Sequence, residues 1–167
     1  MELLGTLEAI AQIAIALTGF TGIVVALGER ELGDWTPVDR FLLRALLYWS
    51  LGTMFLALLP SGLSTVRALP EPWRVAHGIF ALFHAAVFIW FFRERSRLAW
   101  PPTRSTEKAI LTVGSGVLLA EILVALGFLA HFAPFLYLVA LLWFLFLATS
   151  AFIELVFPRP PGQPPAA

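Results

Sequence analysis

The sequence predicts an all-α integral membrane protein, a bundle of five transmembrane helices, on three observations. Five apolar runs each reach roughly 19 residues or more, enough to cross a ~30 Å hydrocarbon core. The composition is 59% hydrophobic and 13% charged, with a mean hydropathy of +0.86, where a water-soluble domain carries roughly 25% charge. The runs are continuous rather than alternating, and only helices or closed barrels span a bilayer, so length and pattern together select helices.

The first span is Leu3–Gly28. The chain opens Met1-Glu2 without a positive n-region, and the apolar run exceeds the 7–15 residues of a signal-peptide core, so it reads as a retained span. At 100° per residue Gly5, Glu8, Gln12, Ile15, Gly19, Gly22 and Ala26 share one small and polar face, which suits a helix packed inside a bundle. A polar segment, Glu29 to Arg40, leads to Thr36-Pro37-Val38-Asp39, a helix start with Thr as N-cap, Pro at the first helical position and an acid at the third. The second span, about 38–63, carries Pro60 near its far end as a kink or stop.

Pro70 and Pro72 break the next connection, and the third span covers about 74–92. Arg93 to Lys108 is the most cationic segment; Pro101-Pro102 interrupts it and Ser105-Thr106-Glu107 offers a second helix start. The fourth span is about 107–130. His131-Phe132-Ala133-Pro134 is a tight turn, with Pro134 opening the fifth span, 134–157. Residues 1–157 thus form one five-helix domain, and the Pro-rich tail 158–167 cannot build a core.

Arg30, Arg40, Arg44, Arg93, Arg95, Arg97, Arg104, Lys108 and Arg159 fall on one side of such a bundle, and only Arg67 and Arg74 on the other. The positive-inside rule then places the N-terminus outside and the C-terminus and tail in the cytoplasm. Trp35, Trp73, Trp90 and Trp100 lie near span ends, where interfacial aromatics belong. The four arginines 93, 95, 97 and 104 satisfy this topology and anionic headgroups.

Several functions are excluded. A net charge of zero leaves no nucleic-acid footprint. The absence of Cys removes disulfides, thiolate metal sites, Cys-ligated iron–sulfur clusters and covalent haem attachment. His77 and His84 are seven residues apart on one helix, about 10 Å along its axis, and cannot grip one iron between them. Gly19-Phe20-Thr21-Gly22 and Gly114-Ser115-Gly116 read as packing notches, since neither continues into a phosphate loop. With no HExxH and no nucleophile elbow, no enzyme, cofactor or metal is expected. An activity on lipid or quinone has only His84, near mid-membrane, in its favour.

Ionisable side chains inside spans are functional candidates by default. By depth, Glu8, Gln12, His84 and Glu121 occupy the outer half and the midplane, with His77 closer to the outer surface. Glu8, Gln12, His84 and Glu121 are expected to converge on one buried site able to carry a proton or receive a cation; the alternative is that the acids are structural groups joining helices. At the cytoplasmic level Arg44 and Glu154 are expected to form a structural ion pair. Two functions follow: a small transporter or channel moving protons, an ion or a small solute past Glu8 and Glu121, or a non-transporting interaction or sensory module. The glycine stripe of span 1 favours a homo-oligomer, and a different protein partner is open beside it.

Glu8 to Leu27, followed by Asp34-Trp35-Thr36-Pro37-Val38-Asp39-Arg40 and extending through Leu58-Leu59-Pro60, resembles small polytopic bacterial membrane proteins to which no activity is assigned. The resemblance covers about the first 60 residues. It implies a bacterial inner-membrane location and carries no catalytic or binding residues.

Overall fold

A computed structural model describes residues 2–27, 35–66, 68–98 and 104–157. The expected roles of Arg30, Arg67, Trp100, Pro101-Pro102 and the 158–167 tail lie outside those residues. The described residues form five α-helices and no strand: α1 (Glu2–Leu27), α2 (Pro37–Ser64), α3 (Pro72–Arg95), α4 (Arg104–Ala125) and α5 (Ala133–Val156), with a 3-10 turn at Ala130–Phe132. All five are long and apolar enough to cross a membrane.

α2 begins as its sequence dictates. The Thr36 hydroxyl accepts the Asp39 N–H at 3.1 Å, and the Asp39 carboxylate accepts the Thr36 N–H at 3.0 Å. This is a reciprocal capping box, with Pro37 in the first turn, where no N–H is needed. Its far end lies at Ser64, within one residue of the expected span limit, so Pro60 sits inside the helix rather than stopping it. Proline donates no N–H, so the carbonyl of Leu56, four residues earlier, lacks its ordinary helical donor. The Tyr137 hydroxyl of α5 supplies one at 2.8 Å, fully buried.

α4 differs at both ends. It starts at Arg104 and stops at Ala125, five residues short of the expected limit. Gly127 adopts a positive φ of 93°. The Phe128 N–H reaches back to Leu123 O at 3.0 Å and the Gly127 N–H to Val124 O at 2.9 Å, the paired bonds of a Schellman stop. The Arg74 guanidinium then reaches the carbonyl of Ala125 at 3.2 Å, tying the start of α3 to this terminus.

α2 and α5 form the central pair. α1 packs on α2 and, less extensively, on α5; α3 joins α2, α4 and α5; α4 rests on α3 and α5. α1 and α4 are therefore the edges. The core is aromatic: Phe80 sits edge-on to Tyr137 and Phe144, with centroids 5.3 and 5.1 Å away, and Phe41 stacks on Trp90 at 5.6 Å. Gly52 of α2 admits the Phe83 ring, which a Cβ would overlap. Outside, Phe20, Phe55, Leu82, Phe128 and Phe135 are each more than three-fifths exposed. Such an apolar surface suits lipid and is unfavourable in water.

Candidate functional site

α3 and α4 bring two of the four predicted site residues together. His84 belongs to the inward stripe of α3 with His77, Phe80, Val87 and Phe91. Glu121 shares the inward face of α4 with Gly114 and Val124. His84 Nδ1 lies 3.2 Å from Glu121 Oε2, and the two side chains are only 2% and 1% exposed. One proton must lie between them, since neither a neutral imidazole lone pair nor a carboxylate oxygen can pair with the other without it.

Phenyl rings enclose the pair. Phe144 is edge-on to the His84 imidazole at 4.9 Å, Phe88 at 5.9 Å, and Phe80 lies at 6.5 Å. Gly114 is required for this enclosure, because a Cβ there would approach Phe88 Cε2 to 2.9 Å. His84 Nε2 and Glu121 Oε1 are buried without a hydrogen-bond partner among the described residues. The arrangement can hold one proton in a hydrogen bond that joins α3 to α4.

His77, two turns from His84 toward the α2–α3 connection, is also fully buried. Its Nε2 lies 2.9 Å from the Ala133 carbonyl, so that nitrogen carries the proton and donates. The Tyr137 ring is edge-on to it at 5.0 Å. Tyr137 thus contacts His77, Phe80 and the Leu56 carbonyl, a junction that sequence reasoning missed. Its only signal is a tyrosine in an apolar span, placed to answer the proline of another.

Glu8 and Gln12 do not join the site. Both are exposed, on the side of α1 turned away from the bundle. The small, polar face was expected inside, but α1 instead buries Leu7, Ile10, Ala11, Ala14 and Thr21. Those residues give α2 and α5 more apolar area than the glycine face could. Gly5, Gly19 and Gly22 accordingly meet nothing within 4 Å of an added Cβ. Thr18 and Thr21 are absorbed by helix contacts: Thr18 Oγ1 donates to Ser50 Oγ at 2.8 Å and Thr21 Oγ1 to Leu17 O at 2.7 Å.

The expected Arg44–Glu154 pair is likewise corrected. Arg44 is exposed on the outer side of α2, Glu154 is half-buried on α5, and no ion pair joins them among the described residues. At a helix end an arginine reaches polar surroundings along its own stem without a partner. No group of three His, Asp or Glu side chains among the described residues could hold a metal.

Five long apolar helices and an apolar exterior among the described residues are compatible with a multi-pass integral membrane protein. Compared with known protein families, curated proteins and solved structures, the chain matches none.

Proposed function

We propose that this chain is a non-transporting interaction module of the membrane, inserted with its N-terminus outside in the inner membrane of a bacterium. The observation that carries this reading is the enclosure of His84–Glu121. Moving an ion or a proton requires polar groups or water in succession along the bundle. From the pair toward the arginine-rich end, the buried residues described on α3, α4 and α5 are Val87, Phe91, Gly114, Phe144, Leu147, Ala148 and Ala151, none of which offers a side-chain polar atom. Ser50 and Thr53 of α2 are also buried, but their hydroxyls donate to Leu46 O and Trp49 O of their own helix. The pair is then best understood as a contact holding α3 to α4.

The polar groups left over, Glu8 and Gln12, point out of the bundle and support docking through α1.

The test is reconstitution into liposomes under proton and monovalent-cation gradients, paired with photo-crosslinking in native membranes. No protein-dependent flux is expected, together with a discrete protein adduct from a photoreactive residue at Ala16 and none from one at Leu142 of α5. Flux in the wild type that disappears in Glu121→Gln would overturn the reading in favour of transport.

A further inference from the structure

We propose that the partner of α1 is a second copy of this chain, docked side by side through a seam centred on Gln12. The inference rests on the interaction-module reading above and names its occupant. It starts from Glu8 and Gln12, two exposed side chains without a hydrogen-bond partner among the described residues, on a helix long and apolar enough to span a membrane. Hydrocarbon contains no water to satisfy an amide or a carboxyl group. Gln12 lies about 15 Å along the helix from its start and carries a short side chain, so it cannot snorkel to a headgroup as a lysine would. Something with donors and acceptors must cover it.

The spacing around Gln12 says what fits. Gly5, Ala9, Gln12, Ala16, Gly19, Ile23 and Ala26 alternate steps of four and three residues, and all are exposed. That is the 3.5-residue repeat of a left-handed helix pair, read here at the two seam positions of each heptad. The buried seam, Leu7, Ile10, Ala14 and Thr21, follows the same spacing about 180° away around the helix. α1 therefore carries one seam for its own bundle and a second for another helix. Every residue of the outer seam is small except Gln12 and Ile23. Small seam residues let two backbones approach closely, which is how membrane helices associate without a hydrophobic drive.

Self-complementarity selects a second copy over an unrelated helix. Copies inserted the same way are related by a twofold axis along the membrane normal, which brings equal depths together. Gln12 then faces the partner's Gln12, and an amide is among the few side chains that satisfy an identical group, each N–H donating to the other's carbonyl oxygen. A single polar residue in an otherwise apolar seam sets register and partner number, because any slip leaves it unpaired. Glu8, one turn away at the edge of the seam, lies within reach of the partner's remaining amide N–H.

The chain has no cysteine, so single cysteines report the interface without background. Ala9→Cys, Ala16→Cys and Ile23→Cys in full-length protein in native membranes are expected to give a disulfide-linked product of twice the chain mass. Ile13→Cys and Leu142→Cys, exposed but off the seam, are expected to give at least tenfold less. By fluorescence dilution in liposomes, Gln12→Leu is expected to weaken dimerisation about tenfold, with Gln12→Asn retaining most of it. These side chains are exposed, so the variants keep the fold, and circular dichroism checks that they do. A monomer at every lipid dilution, or crosslinking without the seam periodicity, overturns the proposal. A seam adduct to a different protein overturns self-association while leaving the interaction module standing; ion flux defeats the module itself.

Discussion

Replacing Tyr137 by phenylalanine removes one oxygen atom and leaves the ring packing in place. That oxygen supplies the hydrogen bond that the Leu56 carbonyl cannot receive from Pro60. Interhelical hydrogen bonds in membranes average only about 0.6 kcal/mol, because their groups find other partners when the bond is lost. Here the alternative is missing, since the donor normally provided by the fourth residue onward is a proline nitrogen. Tyr137 is 0% exposed, so water does not substitute either. The loss should therefore approach the penalty of an unsatisfied buried acceptor, about 1–3 kcal/mol. In a Pro60→Ala background the new N–H bonds Leu56, and Tyr137→Phe should then cost about 0.5 kcal/mol or less. The four proteins of this cycle can be compared by reversible unfolding in mixed micelles or by steric trapping in bicelles, with helicity as the signal. Additivity of the two changes within about 0.5 kcal/mol would refute the proposed exchange of donors.

Three further outcomes follow from the packing. His84→Leu and Glu121→Leu each strand a buried polar partner and should destabilise by about 1–3 kcal/mol, whereas the double variant should lose less than the sum of the two, as a double-mutant cycle in micelles will show. Gly52→Ala drives a methyl into the Phe83 ring; it should lower stability by about 1–3 kcal/mol and be rescued by Phe83→Leu, measured by thermal unfolding in detergent. Gly127→Ala must hold a positive φ with its Cβ 3.2 Å from the Arg74 guanidinium carbon. It should cost about 1–3 kcal/mol, with Gly127→Asn milder, and amide exchange at the end of α4 should rise.

Much of the fold is legible in local patterns. The Thr36-Pro37-Val38-Asp39 start of α2 is readable because its capping box is made by residues three apart in the chain. The stop of α4 was equally available, in a glycine between Leu126 and Phe128, but an unbroken apolar run through Ala130 hides a local signal behind a stronger one. Of the site, the approach of His84 to Glu121 follows from their similar depths on adjacent spans. The departure of Glu8 and Gln12 does not, because depth places a residue along a helix and says nothing about which way the helix is turned.

By itself the sequence determined that the described chain forms five long apolar helices, where α2 begins, and that only a few ionisable side chains lie away from the ends of those helices. Each is set by composition, run length or contacts within one turn. The tertiary structure alone decided which face of α1 is buried, since both faces carry helical periodicity and only competition for apolar area against α2 and α5 separates them. It also decided how the Leu56 carbonyl opposite Pro60 is satisfied, because its donor is the hydroxyl of Tyr137, 81 residues away along the chain. The enclosure of His84–Glu121 by rings from α3 and α5 is of the same kind. Contacts between distant segments depend on how helices rotate and slide against one another, and no local pattern records that choice.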